Sequence, residues 1–526
     1  MRRVLMALVL CGPLCGVTGW AKEPVLPFEL AEDAAPKGPL DELVFAKLKA
    51  KGIPPARPCS DPVFVRRAYL DVIGTLPTQA EASDFIADQD PKKRSALIDR
   101  LLARDEYADY WALRWCDLLR VKAEFPINLW PNAVQAYHKW VRTCFVQNIP
   151  YDQFVRELLT ASGSNFRNPQ VNFYRAMQAK QPEAIARTVA VTFMGARAEK
   201  WSKEKLAGMS AFFNQVAYKR TAEWKEEIVY FDPFKTTAVA GSRPVQAVFP
   251  DGKPATLPQG VDPRTVFADW LIQANNPSFA PVIANRYWYW LVGRGIVHEP
   301  DDFRADNPPS NPELLAYLAK EIVAAKYDVK QLMRLILNSQ TYQLSSISPV
   351  GPNPDAESLF AFYVPRRVDA EVLIDAICQI TGSTEEYSSP IPEPFTWIPE
   401  NQRSISLSDG SISSPFLELF GRPPRDSGLE SERNNRSTPA QLLHMLNSTH
   451  ILRKIRNSPL LRESIRGSDA GSAAKKLYMM ILSRPPTQAE VGHIKEYAFG
   501  GDAQGQEALI DIVWALFNSP EFLYRH

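Results

Sequence analysis

Arg66-Arg67-Ala68-Tyr69-Leu70, followed by Pro77-Thr78-Gln79-Ala80-Glu81, is the stretch that decides the fold. Thr78 and Glu81 stand three apart, the spacing at which each side chain satisfies the other's free backbone N–H at a helix start. Ahead of the proline, Phe64, Ala68 and Val72 keep a spacing of four. Beyond it, Leu97, Ile98, Leu101 and Leu102 return at three and four. That period buries one face of a helix. The arrangement recurs near the other end. Lys476-Leu477-Tyr478-Met479 precedes Pro486-Thr487-Gln488-Ala489-Glu490, and Ala508-Leu509-Ile510-Asp511 parallels Ala96-Leu97-Ile98-Asp99. Each copy reads as a helix, a proline-marked turn, a capped helix and a third helix. We read the two as a duplicated unit; two copies do not make a solenoid.

Helical punctuation continues outward from these copies. Asp61-Pro62 places a cap before a proline at the first helical position. Ser310 to Glu313 and Thr438 to Gln441 repeat the capping spacing. Strand signals are confined to Ile228-Val229-Tyr230-Phe231, Thr237 to Ala240 and Val245 to Phe249, the last followed by the turn Pro250-Asp251-Gly252-Lys253. The expected fold is mainly α: multi-helix domains with a small β-rich insert between them. The expected boundaries are a signal peptide over 1–21, an N-terminal helical domain over 22–225, a β-rich linker over 226–260 and a C-terminal helical domain over 261–526. A Ser/Pro-rich loop over 383–436 interrupts the last and is too long for an ordinary connector.

With 526 residues, 45% of them hydrophobic, the chain can bury a large core without cross-links. A net charge of +1 gives no basic excess of the kind nucleic-acid partners require. Arg2 and Arg3 precede an apolar run from Val4 to Leu14, and Gly19-Trp20-Ala21 offers a cleavage point after Ala21. These are the parts of a secretory signal, and the apolar run is too short for a stable span. A periplasmic or secreted protein follows, with no transmembrane anchor after cleavage. Four cysteines then remain: Cys59, Cys116, Cys144 and Cys378. The last three sit in apolar helical patterns and read as buried thiols. Cys59, in the loop Arg57-Pro58-Cys59-Ser60, reads as the exposed one.

No complete catalytic signature is present. The chain lacks C-x-x-C-H, H-E-x-x-H, G-x-S-x-G and phosphate-binding glycine loops, so no haem, metal or other cofactor is expected. No two histidines stand at helical ligand spacing; His444 and His450 are six apart. Two stretches combine arginine, carboxylates and proline outside helices. One runs through Arg294, Asp301, Asp302, Arg304 and Asn307 to Ser310; the other through Arg422, Arg425, Asp426, Glu430, Glu432 and Arg433. A guanidinium binds carboxylate, sulfate or phosphate bidentately. Asp302, Arg304, Arg422, Arg425 and Glu430 are therefore candidate ligand residues for an acidic ligand, against internal ion pairs that lock loops onto helices. Trp288-Tyr289-Trp290 and Tyr107, Tyr110, Trp111 and Trp115 suit sugar stacking or core packing, and helical spacing favours the core.

Longer motifs carry a resemblance. Phe64 to Asp71, Leu101 to Leu118 and Pro150-Tyr151-Asp152-Gln153-Phe154 resemble the N-terminal member of a pair of domains of unknown function, numbered fifteen forty-nine and fifteen fifty-three. The C-terminal member is resembled by Ala268-Asp269-Trp270-Leu271, Asn285-Arg286-Tyr287-Trp288, Gly293 to Val297, Leu337 to Tyr342, Phe420 to Pro424 and Ala440 to His444. Such pairs are abundant in secreted planctomycete-type proteins. The resemblance implies a C-x-x-C-H-x-H-P segment inside the first domain and often a haem module upstream. This chain departs from both: Phe193 to Glu199 runs straight into Lys200-Trp201-Ser202. The expectation is thus an exported, non-catalytic binding or assembly protein that recognises a polysaccharide or a co-exported partner. The alternatives are a hydrolase of acidic or sulfated polysaccharide and a redox or haem-associated protein.

Overall fold

The computed structural model describes residues 23–235, 246–499 and 506–526. The protein is mainly α, built of short helices with two small sheets. The deciding stretch folds as its pattern predicts, into helices Asp61–Val72, Gln79–Ala87 and Lys93–Leu102. Thr78 N donates to Glu81 Oε2 at 2.8 Å, and Glu81 N donates back to Thr78 Oγ1 at 3.2 Å. The second copy forms Ala470–Leu482, Gln488–Phe499 and Gln506–Phe517, with Thr487 N donating to Glu490 Oε2 at 2.6 Å. Each copy also sets a guanidinium by its tyrosine and pairs it with the capping glutamate. Arg104 does this for Tyr69 and Glu81, and Arg484 for Tyr478 and Glu490. Arg104 follows the third helix of its copy whereas Arg484 lies in the first turn of its own, so the same contact is reached from different directions.

Some punctuation falls one residue from its expected place. Asn311, not Ser310, caps Pro312–Ala324, accepting from Leu314 N at 3.1 Å. Asparagine directly before a proline at the first helical position is the better cap. Ser60 occupies the cap position of Asp61–Val72. The Asp61 carboxylate instead pairs with Lys93 at 2.6 Å and Arg94 at 2.7 Å. Cys59 is buried, contrary to its loop reading. Cys59 N donates to Gln343 O and Cys59 O accepts from Arg94 Nη2, both at 2.8 Å, which draws the loop into the core. Cys116 and Cys144 are buried, Cys378 is half-buried, and none of the four is bridged.

The larger sheet is antiparallel in the order β1 (Gly163–Ser164), β3 (Glu227–Phe231), β2 (Val216–Arg220). The β3 strand is the one expected at Ile228 to Phe231, but its partners precede the expected block. Thr237 to Ala240 and Val245 lie outside the described residues. The rest of that run makes one bridge, Val248 to Pro254, across the predicted turn. The second sheet pairs β4 (Arg366–Arg367) with β5 (Tyr524–Arg525). The long Ser/Pro-rich loop is packed against the body: Ala123 N donates to Asp409 Oδ1 at 2.9 Å and Gly410 N to Val121 O at 3.0 Å.

One hydrophobic core runs from Leu40 to Leu523. At its centre Trp111 stacks on Tyr287 at 4.9 Å, and Trp115 meets Trp290 edge-on at 6.1 Å. Beside it lies a buried charged layer. Asp369 takes Arg114 and Arg525, each at 2.5 Å; Asp117 takes Arg425 at 2.8 Å and Arg433 at 2.7 Å; Glu371 takes Arg433 at 2.7 Å. Burial alone would raise the Asp369 carboxyl, but Arg114, Arg525 and Arg433 outweigh it and hold it well below the carboxylate range. Among the described residues no helix is long and apolar enough to cross a membrane.

Candidate functional site

Most tryptophans and tyrosines singled out in the helices belong to the core: Trp288, Trp290, Tyr107, Tyr110, Trp111 and Trp115 are all buried. A different set of aromatics gathers on the surface from three loops. The first loop leaves helix Asp105–Leu118 and closes on itself, with Leu129 N donating to Lys122 O and Trp130 N to Ala123 O, both at 3.2 Å. Phe125 stands at its tip, 79% exposed. Glu124 N donates to Ser411 Oγ at 3.0 Å and Lys122 pairs with Asp426 at 2.7 Å, so the long Ser/Pro-rich loop braces this one. Trp130 ends it, directly before Pro131 and helix Pro131–Val146.

Trp130 has φ 75° and ψ 146°, a region that residues with a Cβ rarely enter. Such a conformation costs on the order of 1–3 kcal/mol and persists only where the surroundings impose it. Here the surroundings are aromatic. The Trp130 ring lies 6.4 Å from Trp224 at 84° and 5.3 Å from Phe395 at 59°.

Trp224 comes from the turn between β2 and β3, and is 70% exposed. That turn is pinned through Glu226, which accepts from Thr221 Oγ1 at 2.6 Å and Ser164 Oγ at 2.5 Å. These hydrogen bonds, Ser164's first, hold its carboxyl below the usual range. Lys225 is also left-handed, at φ 62°, and its carbonyl accepts from Asn165 Nδ2 at 3.2 Å. Its ammonium lies 5.0 Å from the Trp130 ring centre and 5.4 Å from that of Trp224. Phe395 and Trp397 come from the third loop, where Phe395 N donates to Pro392 O at 3.1 Å; Trp397 is 68% exposed. Exposed rings grouped in this way mark interaction surfaces. Periodicity could not find them, because they sit singly among polar residues and prolines. That isolation was the available signal: Glu223-Trp224-Lys225-Glu226 and Pro394-Phe395-Thr396-Trp397 have no helical apolar partners.

The arginine-bearing stretches fare differently from each other. Asp302 and Arg304 stay together at the surface, at 3.0 Å, with Arg304 also on Asp306 and Lys200 at 3.8 Å from Asp302. Arg422 is buried, donating to the Ile412 carbonyl and, at 3.0 Å, to Asp409 O. Arg425 is buried on Asp117. Glu430 is buried too, accepting from Trp290 Nε1 at 2.9 Å. Glu430 N donates to Asp301 Oδ2 at 2.7 Å, which joins the two stretches. Of the five candidates, a ligand in solvent meets only Asp302 and Arg304.

A cluster that spacing did not suggest forms around His450. Its Nε2 is 2.9 Å from Glu385 Oε2, Lys454 is 3.1 Å from the same oxygen, and the His444 ring lies 5.9 Å away. Among the described residues no group of three or more His, Cys, Asp or Glu side chains is arranged to hold a metal ion. An open cleft of about 760 Å³ lies elsewhere, between the start of helix Pro39–Ala50 and helices Pro312–Ala324 and Val329–Asn338. Its charges are mixed, with Lys37, Lys326 and Arg334 facing Asp41, Glu321 and Asp328.

Fold and surface thus define a mainly helical protein, sealed by internal ion pairs, with an aromatic patch raised on loops. Residues 39–217 match the family described as Protein of unknown function (DUF1549), and residues 263–498 match Protein of unknown function (DUF1553). The chain carries both as a pair and belongs to the proteins built on that pairing. No curated protein and no solved structure matches it.

Proposed function

We propose that this is an exported, non-catalytic binding protein whose aromatic loops recognise a polysaccharide. The observation that carries the reading is the Trp130–Trp224–Phe395 cluster with its exposed faces. A pyranose has an apolar C–H face and a hydroxyl rim, the complement of an indole set among polar residues. The cluster also holds Trp130 in a costly backbone conformation, and strain of that kind collects at ligand sites. Glu124, Glu223, Glu226 and Glu393 outnumber Lys122 and Lys225 on the three loops, which disfavours an anionic lipid surface as the occupant. Export rests on the signal-like residues 1–21, which lie outside the described residues.

Affinity electrophoresis through gels containing soluble glycans is the test. Wild-type protein should be retarded by at least one of them, and Trp224→Ala should weaken that binding about tenfold or more, the effect of losing an aromatic anchor. Absence of retardation in every gel together with no binding to any insoluble glycan sinks the reading, as does retention by phospholipid vesicles alone. Steady hydrolysis of the retarding glycan would overturn its non-catalytic part.

A further inference from the structure

We propose, resting on the polysaccharide reading, that the aromatic patch selects single twisted glycan chains and rejects flat crystalline glycan faces. The reason is the angle between its rings. A flat face, in which sugars lie side by side in one plane, is gripped by rings that lie in one plane themselves. Trp224 stands at 84° to Trp130, and Phe395 at 59° to it. Because these two angles differ, Trp224 and Phe395 are not parallel to each other either. A chain whose successive sugars rotate about their linkages can offer one face to Trp224 and a differently turned face to Phe395.

The angles are built in. Trp130 is fixed by its left-handed backbone and by Trp130 N on Ala123 O. Trp224 is fixed through the Thr221–Glu226–Ser164 hydrogen bonds of its turn. The Lys225 ammonium, near both indole centres, fills the corner between them. Within the described residues Lys225 makes no ion pair, so its attachment is to the two rings. For the indoles to become coplanar, that cation would have to leave and the turn would have to open. The ring at the centre, Trp130, is half-buried, which leaves Trp224 and Phe395 as the two outward stacking faces.

The experiment sets two kinds of glycan against each other. Microcrystalline cellulose and crystalline chitin present flat faces; hydroxyethyl cellulose, soluble starch and a soluble β-1,3-glucan present single chains. Wild-type protein should be retarded in at least one soluble-chain gel, with Trp224→Ala and Phe395→Ala each losing tenfold or more. It should be depleted by the crystalline powders no more than Trp224→Ala is. The far-ultraviolet circular dichroism of wild type minus Trp224→Ala should show an exciton couplet from the Trp130–Trp224 pair, since the core indoles Trp111, Trp115 and Trp290 contribute alike to both proteins. Depletion of the wild type by a crystalline powder, lost in Trp224→Ala, overturns the selectivity but keeps the polysaccharide reading. A flat difference spectrum, with both proteins folded, overturns the geometry on which selectivity stands. Failure on both kinds of glycan removes the polysaccharide reading and the selectivity with it.

Discussion

Tryptophan and arginine each occur in this protein in two settings. Between helices Asp105–Leu118 and Ala280–Val292, Trp111, Trp115 and Trp290 are sealed from solvent, and beside them Arg425 and Arg433 are locked on Asp117 and Glu371, carboxylates of helices Asp105–Leu118 and Ala370–Thr381. On the loops, Trp224 and Trp397 stand in the open, and Arg304 sits on the rim with Asp302. Residue type therefore carries little information about role here. What separates the settings is whether each group's partners close it off from solvent. The sealed set makes its contacts within the chain, whereas the exposed rings keep faces for something else.

Removing a member of the sealed set should therefore be the most damaging change. Arg433 holds Asp117 and Glu371 at once, each at 2.7 Å. Arg433→Ala leaves Glu371 with Arg422 at 3.6 Å and Asp117 with Arg425 at 2.8 Å as their remaining guanidinium partners, and should cost about 3–5 kcal/mol, read by urea unfolding. Trp111→Ala opens a cavity beside Tyr287 and belongs in the same range, about 3–5 kcal/mol. If either variant unfolds at the wild-type urea midpoint, the sealed and open settings are not distinct classes.

Acid sharpens the same contrast. Burial raises the Asp117 carboxyl, but Arg433 and Arg425 outweigh it and hold it below the usual range, as Arg114, Arg525 and Arg433 do for Asp369. Carboxyls lowered in the folded state stabilise it above their unfolded value near about 3.9, and that stability drains away as pH falls through the folded values. The wild type should lose stability steeply below about pH 4. Arg433→Ala, with one guanidinium fewer beside Asp117 and Asp369, should show a shallower loss over the same window. Parallel slopes from chemical unfolding at each pH would assign the acid sensitivity to other groups.

The helical half of this picture was legible in the sequence. Thr78–Glu81, Thr438–Gln441 and Thr487–Glu490 all cap as their spacing predicts, because a capping box is local chemistry. The duplicated pattern gives three helices at each end for the same reason. The sealed arginines were not legible, since Arg425 finds its partner 308 residues away in Asp117. An arginine beside acids and prolines looks alike whether it ends in the core or on the rim. Cys59 was misplaced because its burial depends on Gln343, again distant in the chain. Trp130 was hidden by its neighbour: a residue before proline is expected in extended backbone, and only the packed loops impose φ 75°.

The open set should yield the smallest changes in stability, and that is where the contrast is most easily broken. Arg304 keeps 39% of its side chain in solvent while pairing with Asp302 and Asp306. Exposed pairs of this kind contribute about 0–1 kcal/mol, with salt screening reducing it further. Arg304→Ala should shift the urea midpoint barely, and less at high salt than at low. Trp224→Ala should also leave the midpoint near the wild-type value, because its ring is 70% exposed and little apolar area is lost from the core. The two variants then part on function: Trp224→Ala should lose glycan retardation, and Arg304→Ala should keep it. If Arg304→Ala abolishes retardation while its midpoint holds, ligand contact has to be moved from the aromatic loops to the Asp302–Arg304 rim. Indifference to Arg304 leaves that rim as a surface ion pair that fixes its own loop, with Asn307 Nδ2 on Asp302 O at 2.9 Å closing the turn.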